Sequence, residues 1–379
     1  MRKSRTIIFV AIAIVIPLFI GISLVTEIYE YEKKRSVQNQ NQTVDINKFN
    51  EENTDSIFQK KEDIEKFPKS VDEKIETTNF YLEIPKCYKF VTKWGTKGTE
   101  NGQFIRPHDI DFDPSGKFLY VSDRDRNDIQ KFTTSGIFVS KWGSTGNGPG
   151  QFDIPYGLDV DSDGNAYVAD RENNRIQEFD SDGNFIEEYY QFGKNLNFKK
   201  PEAVVVDVRN QVIYVTDTGN DRLIKFDKNF NFLKMWGSTG DSLGEFRHPH
   251  GLGVDSKGNV YVTERDNTRI QKFDPEGNFI LSWGKEGIGD GEFVHLEHLD
   301  ISSNDLIFVT DGGQRGGNGG ENFQVFDKDG NFLLKVGRPG TGDGQFGEAE
   351  HPGIDRDGNV YITERKNGRV SVFSPSNEC

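Results

Sequence analysis

A set of imidazole, phenol and carboxylate side chains recurs at a regular interval along this sequence. The set, called here the mouth column, consists of His108, Tyr156, Glu202, His250, Glu297 and Glu350. An arginine column follows four of its members by about fifteen residues and consists of Arg124, Arg171, Arg265 and Arg365. Imidazoles and carboxylates bind divalent cations such as zinc or calcium, and guanidinium groups bind anions. The columns therefore predict a metal or ligand site, and the alternative interpretation is a repeat that reuses polar residues at a solvated rim.

These residues lie in segments that repeat six times from Phe90 to the end of the chain. The segments begin at Phe90, Phe138, Phe185, Phe232, Phe279 and Phe332, and all four tryptophans occupy one aligned position. Each segment contains four short runs of β-forming residues, separated by turns that contain Gly or Asn. Four strands in a unit of 47 to 53 residues are typical of a propeller blade. The sequence therefore predicts an all-β, six-bladed β-propeller over residues 86–379.

The second repeat shows the unit most clearly, from Gly150 to Phe179, as GQFDIPYGLDVDSDGNAYVADRENNRIQEF. This pattern resembles the NHL repeat, and the resemblance covers residues 90–379. It implies blades whose four strands run from a central channel outward. It also implies that the mouth column and the arginine column converge on one face, around the mouth of that channel.

In the strand order that this resemblance implies, the sixth repeat lacks its outer strand. Residues 90–94 form an outer-strand sequence with no inner strands before them, so we expect them to complete the last blade and remove two open sheet edges. This closure brings together Cys87 and Cys379, the only two cysteines. We predict a disulfide between them, in a compartment where disulfides persist. Two free thiols are the alternative.

A narrower resemblance is to the peptidyl-α-hydroxyglycine lyase, an NHL-type propeller enzyme. The Pro-His pairs at 107–108 and 249–250, and ADRENNR at 169–175, are similar to segments of its repeats. The resemblance implies two metal ligands, His108 and His250, and two catalytic candidates, Tyr156 and Arg171.

The lyase family uses three such histidines, whereas the mouth column contains two. His108 and His250 belong to repeats one and four, so we expect them on opposite sides of the ring. His298 and His351 lie one residue beyond the column, where strand alternation is expected to turn them away.

The amino-terminal part of the chain is different in character. Residues 7–25 form an uncharged apolar run of 19, about the length that crosses a bilayer as a helix. Basic residues within residues 1–6 place that tip in the cytoplasm by the positive-inside rule. Residues 26–85 are polar and charged and are expected to form a stalk. We therefore predict a single-pass cell-membrane protein with an extracytoplasmic propeller; a cleaved signal peptide, giving a secreted protein, is the alternative.

The formal net charge of -15 disfavours nucleic acid as a partner. The sequence contains no G-x-S-x-G, H-E-x-x-H or dinucleotide-binding motif. The leading prediction is a membrane-anchored binding module, rather than an enzyme, whose propeller face recognises a protein, a peptide or a glycan. The alternative is a metal-dependent lyase or hydrolase with its site at the channel mouth and zinc or calcium as its cofactor.

Overall fold

A computed structural model describes residues 84–313 and 319–379. These residues form six four-stranded antiparallel sheets, one two-stranded hairpin and a 3₁₀ turn at Thr218–Asn220. Within the described ranges, no helix is long and apolar enough to cross a membrane. The predicted cytoplasmic tip and membrane segment, and the predicted stalk up to residue 83, lie outside the described residues.

Each sheet is one blade of the propeller. Blade one comprises β2 (Pro107–Phe112), β3 (Phe118–Asp123), β4 (Asp128–Thr133) and β5 (Phe138–Trp142). Blade two comprises β6 (Pro155–Val160), β7 (Ala166–Asp170), β8 (Arg175–Phe179) and β9 (Phe185–Tyr189). A hairpin of β10 (Gln191–Gly193) and β11 (Leu196–Asn197) precedes blade three, which comprises β12 (Val204–Asp207), β13 (Val212–Asp217), β14 (Arg222–Asp227) and β15 (Phe232–Trp236).

The second half of the ring repeats this arrangement. Blade four comprises β16 (Pro249–Val254), β17 (Val260–Glu264), β18 (Arg269–Phe273) and β19 (Phe279–Trp283). Blade five comprises β20 (Leu296–Ile301), β21 (Ile307–Asp311), β22 (Asn322–Phe326) and β23 (Phe332–Val336). Blade six comprises β24 (Ala349–Ile354), β25 (Val360–Glu364), β26 (Arg369–Ser376) and β1 (Cys87–Trp94). The first strand of each blade contacts those of both neighbouring blades, so the six first strands close a ring.

The core lies between neighbouring blades, in six clusters of buried apolar side chains. The middle strands are rich in β-branched and aromatic residues and are buried on both faces, as in β7 and β17. The fourth strands are half-exposed, as in β5 and β9. This gradient of burial is what a sheet with one edge in the ring centre and one edge in solvent produces.

The aligned tryptophans are explained by packing between blades. Gly136, in the turn after β4, has a φ of +83°, and a Cβ there would lie 2.3 Å from the Trp94 ring of the neighbouring blade. The same contact recurs between Gly183 and Trp142, Gly277 and Trp236, and Gly330 and Trp283. Where Phe230 replaces the turn glycine, Tyr189 replaces the tryptophan and the two rings stack with centroids 3.9 Å apart. The ring and the turn residue therefore vary together.

The ring closes through the two ends of the propeller, as predicted. β1 pairs antiparallel with β26, from Cys87 opposite Ser376 to Trp94 opposite Val370. The Cys87–Cys379 disulfide is formed, with an S–S distance of 2.11 Å and Cα atoms 6.1 Å apart. The sequence prediction of both features is confirmed.

Five of the six first strands contain an extra residue near their beginning. In blade five, Leu296 pairs with Asp311 and Leu299 with Val309, so Glu297 and His298 on β20 together oppose Thr310 on β21. The same register shift occurs in the first strands of blades one, two, four and six. A bulge of this kind breaks the two-residue alternation of side chains. It therefore decides which side chains reach the centre of the ring.

Candidate functional site

Three histidines from three blades meet where the first strands begin. His108 is the second residue of β2, His250 the second of β16 and His298 the third of β20. One ligand atom from each of the three lies within 4.8 Å of the others. The ring centroids are 4.2 Å apart for His250 and His298, and 4.9 Å for His108 and His298. We call this set the three-histidine cluster.

One expectation from the sequence is wrong here. His108 and His250 lie on blades one and four, on opposite sides of the ring as expected, and their ring centroids are 5.9 Å apart because the central space between the first strands is narrow. His298 was expected to turn away, yet it completes the cluster. The reason is the bulge in β20, which brings both Glu297 and His298 to the centre although they are adjacent in sequence.

A second group of potential ligands shares one histidine with the first. Asp109, His298 and His351 also offer ligand atoms within 4.8 Å of one another. The Asp109 carboxylate lies 3.3 Å from Nδ1 of His351 and accepts a hydrogen bond from the Leu158 amide at 3.1 Å. These three side chains line the central cavity, whose volume is about 110 Å³. Asp109 therefore also ties blade one to blade two.

The nitrogens of the three-histidine cluster are buried without hydrogen-bond partners. Both ring nitrogens of His108 and of His250, and Nε2 of His298, form no hydrogen bond with any residue that the structure describes. Burial and, to a smaller extent, the charges of nearby arginines lower the pKa of all three imidazoles, to about 4 for His298. Neutral imidazoles with free lone pairs are the form that binds metal ions. The residues present therefore fit a metal ion.

Carboxylates of the mouth column surround these histidines. Nε2 of His108 lies 3.5 Å from Oε2 of Glu350. His250 lies between two carboxylates, with Nε2 at 3.6 Å from Glu202 and Nδ1 at 3.8 Å from Glu297. All five side chains are fully buried, so the interpretation as a solvated rim does not hold for these positions.

The arginine column pairs with the same carboxylates. Arg171 Nε donates to Glu202 at 2.7 Å, and Arg365 Nε lies 2.8 Å from Glu350. Arg265 pairs with Glu297. Each carboxylate therefore has a guanidinium beside it.

The partner of Arg124 in the mouth column is the phenol of Tyr156, whereas the partners of the other three arginines are carboxylates. Arg124 Nη1 donates a hydrogen bond of 2.9 Å to the hydroxyl of Tyr156. The Arg124 and Arg171 guanidinium carbons lie 5.0 and 5.3 Å from the centroid of the Tyr156 ring. The Tyr156 ring in turn lies 4.0 Å from that of His108. Tyr156 and Arg171, the two catalytic candidates, are therefore in contact, and both adjoin the three-histidine cluster.

The buried carboxylates differ in protonation. Burial would raise the pKa of Glu297, but the charge of Arg265 and the hydrogen bond with His295 outweigh it and lower the pKa to about 2. Burial and the negative charge of Glu297 raise the pKa of Glu350 to about 8. The surroundings therefore favour the ionised form of Glu297 and shift Glu350 towards its protonated form.

Family comparisons agree with this architecture. Residues 246–273 match the NHL repeat, and residues 99–198 match a 6-bladed beta-propeller family. This chain is an NHL-repeat six-bladed β-propeller. No curated protein matches the sequence of this NHL propeller.

Solved structures share the fold at low identity. A streptogramin B lyase is 13% identical with a TM-score of 0.52, covering 76% of this chain and 98% of its own. A gluconolactonase from Xanthomonas campestris is 14% identical with a TM-score of 0.56, covering 76% of this chain and 96% of its own. A protein of unknown function from Bacteroides thetaiotaomicron is 16% identical with a TM-score of 0.57, covering 76% of each chain. At these identities the similarity shows the fold alone.

Two further histidines of the NHL propeller were missed in the sequence. His248 Nε2 lies 3.0 Å from Glu202, and His295 Nδ1 lies 3.0 Å from Glu297. Each stands two residues before a mouth-column position, so its spacing could have identified it. Both are partly exposed, and each contacts a carboxylate that flanks His250.

Proposed function

We propose that this NHL propeller is a metal-dependent lyase or hydrolase whose ion is held by His108, His250 and His298. The observation that carries the proposal is the convergence of three buried, neutral imidazoles with five ring nitrogens that lack hydrogen bonds. A buried polar group without a partner destabilises the fold by about 1–3 kcal/mol. A bound cation would satisfy one nitrogen of each of the three imidazoles.

The type of ligand favours a zinc-like ion over calcium. Imidazole nitrogens suit zinc and similar transition metals, whereas calcium takes six to eight oxygen ligands. Three protein ligands that leave a position open are typical of catalytic zinc sites. The sequence prediction named both zinc and calcium, and the three-histidine cluster supports the first.

Tyr156 is the side chain best placed to exchange a proton with a substrate. Burial and the nearby Glu202 raise its pKa, so at neutral pH it is a phenol and can donate a proton to a departing group. Arg124 holds its hydroxyl, and Arg171 adds a second positive charge close to the ring. These guanidinium groups would stabilise negative charge that develops on the substrate. A metal in this site, when bound, supplies Lewis acidity to a substrate oxygen.

The resemblance to the peptidyl-α-hydroxyglycine lyase supports the same proposal. That family requires a third histidine, and His298 supplies a third imidazole from outside the mouth column. In such a lyase reaction the bond between the amide nitrogen and Cα breaks, the nitrogen gains a proton, and the hydroxyl becomes the carbonyl of glyoxylate as it loses one.

The proposal is tested by metal analysis of the full chain, purified without chelators. We expect about one zinc-type ion per chain and its loss in His298→Gln. The same protein is assayed for glyoxylate release from N-benzoyl-α-hydroxyglycine and for hydrolysis of glucono-δ-lactone. We expect turnover of one of these compounds, lost in the same variant.

His295→Gln is the matched control, because His295 lies outside the three-histidine cluster and is partly exposed. It should retain the metal. Protein that folds but carries no stoichiometric metal, or that keeps its metal in His298→Gln, would refute the proposal. Metal-free protein would favour the other prediction, a binding module for a protein, peptide or glycan.

The location of the propeller is a separate proposal. We propose that residues 7–25 anchor the chain in the cell membrane and that the propeller lies on the extracytoplasmic side. The Cys87–Cys379 disulfide supports this, since structural disulfides persist in oxidising compartments. Protease added to intact cells should remove the propeller; complete protection of the propeller would contradict the proposal.

A further inference from the structure

We infer that Asp109, His298 and His351 form a second cation site, inside the channel, that takes a zinc-type ion. One ligand atom from each of the three lies within 4.8 Å of the others. All three side chains line the central cavity of about 110 Å³, and we call them the channel group. The group shares only His298 with the three-histidine cluster, so substitutions can separate the two sites.

The channel group occupies a single position of the repeat. Each member directly follows a residue of the mouth column, at a position that consists of Asp109, Gly157, Ala203, Gly251, His298 and His351. The three side chains that can bind a cation therefore stand on the consecutive blades five, six and one. Blades two, three and four, which lie opposite them in the ring, carry glycine or alanine there. The repeat thus gathers potential ligands on one side of the channel and leaves the other side without bulky side chains at this position.

Hydrogen bonds hold the three ligands in place. Each of their backbone amides donates a hydrogen bond to a hydroxyl on the second strand of the same blade. These hydroxyls belong to Ser122, Thr310 and Thr363. The Asp109 carboxylate also accepts hydrogen bonds from the amides of Ile110 and Leu158, at 2.6 and 3.1 Å. A carboxylate offers about four lone-pair sites, so these two bonds orient the group and leave lone pairs for a cation.

Both imidazoles of the channel group have a buried nitrogen without a partner. Nε2 of His298 and Nδ1 of His351 form no hydrogen bond within the part of the chain that the structure describes. His298 is only 1% exposed, and Nδ1 of His351 lies 3.3 Å from Oδ1 of Asp109. Because buried polar atoms in proteins nearly always have a partner, these nitrogens indicate a ligand in the central cavity.

The central cavity is lined by acidic side chains that have no basic partner. Besides Asp109, its lining includes Asp111, Asp159 and Asp300, and it includes no lysine or arginine. Over residues 84–313 and 319–379, none of these four carboxyl groups forms an ion pair with a lysine or an arginine; the partner of Asp109 is His351. Ionised carboxylates are buried in proteins when a positive charge or a metal accompanies them. A cation in the channel group would supply that charge.

Two imidazoles and one carboxylate favour a zinc-type ion. Zinc is bound by imidazole nitrogens and carboxylate oxygens, and three protein ligands are enough when water completes the coordination. Calcium, by contrast, takes six to eight oxygen ligands. The ion would link Asp109 of blade one to the histidines of blades five and six, and blade six contains the pairing of β1 with β26 that closes the ring. Because a ligand that binds only the folded protein stabilises it, zinc should raise the melting temperature.

The test uses the full chain in a non-ionic detergent, with the double substitution His108→Gln, His250→Gln as background. This background disables the three-histidine cluster and leaves the channel group intact. The protein is stripped of metal, the chelator is removed, and zinc is titrated by calorimetry. We expect one zinc ion per chain and a higher melting temperature with zinc. Adding His351→Gln should weaken zinc binding at least about tenfold and abolish the rise in melting temperature. Asp109→Asn, which keeps an oxygen that can accept the amide hydrogen bonds, should have the same effect on zinc.

The matched control adds His295→Gln to the same background, because His295 belongs to neither group of ligands. It should leave zinc binding unchanged. The fold of every variant is checked by circular dichroism, and His250→Gln alone serves as background if the double variant is unfolded. No zinc binding by the folded background, or zinc binding that persists with both His351→Gln and Asp109→Asn, would overturn the inference. Binding of calcium in preference to zinc would overturn it in favour of a site built from carboxylates alone. The background lacks two ligands of the proposed function, so the result does not depend on that proposal.

Discussion

Replacing both cysteines by serine would remove the covalent link that closes the propeller. The native contacts at the closure should persist in this variant, since β1 keeps its pairing with β26. Tyr88 also packs edge-on against Phe308 and Phe323, with centroid distances of 5.6 and 5.8 Å. The loss of stability should therefore arise in the unfolded chain, whose conformational entropy is higher when the disulfide is absent.

The size of that effect follows from the length of the closed loop. The two cysteines are separated by 292 residues in sequence. The chain-entropy relation gives about 6 kcal/mol for a loop of this size, as an upper value. For a domain of this size, that corresponds to a fall in melting temperature of roughly 10 °C.

The assay is thermal unfolding of the full chain by circular dichroism, for wild type and for the double serine variant. Wild type in a reducing agent serves as the control and should melt at the temperature of the variant. A change in melting temperature below roughly 2 °C would refute the reasoning, because the strand pairing alone would then account for closure.

Three further predictions concern the channel, the blades and the site. Burial and Asp111 raise the pKa of Asp300 to about 7, so ionisation of this carboxyl should by itself cost wild type up to about 4 kcal/mol of stability as pH rises from about 4 to 7. Asp300→Asn should lack this loss. Urea unfolding at both ends of that pH range should therefore show that the free energy of unfolding of the variant increases relative to that of wild type at the higher pH. The same difference between variant and wild type at both pH values would contradict the prediction. Gly136→Ala should lower the free energy of unfolding by about 2 kcal/mol, through backbone strain and the clash with Trp94. The control is Gly244→Ala, where φ is +84° and no atom lies within 4 Å of an added Cβ. Equal losses of stability in the two variants would rule out the clash. Tyr156→Phe should lower turnover by about 100-fold while metal content stays unchanged, and loss of the metal would assign Tyr156 a structural role instead.

Much of the fold could be predicted because its signals are local and repeated. The strand runs, the turn residues and the spacing of Phe90 from Phe138 are visible in the sequence without knowledge of contacts. Closure of the ring also followed, because the sixth repeat visibly lacks a strand that residues 90–94 supply. The disulfide then depended only on which residues that pairing brings together.

The site was less predictable because it depends on a break in the regular pattern. Strand alternation turns Glu297 and His298 to opposite sides, whereas the bulge in β20 brings both to the centre. The Gly and Asn residues that predict the turns between strands do not predict this bulge. The short distance between His108 and His250 was also not predicted, since the separation of repeats around a ring says little about the width of its centre.

The sequence by itself determined the number of blades, and its resemblance to the NHL repeat implied the order of their strands and so the residues that join the two ends. The number of blades depends on hydrophobic period and turn chemistry, which each repeat specifies within about fifty residues. Only the tertiary structure decided that His298 joins His108 and His250, and that the mouth column is buried. The physical reason is that burial and mutual approach of these side chains arise from six strands packed around one narrow centre, and no single repeat contains that information.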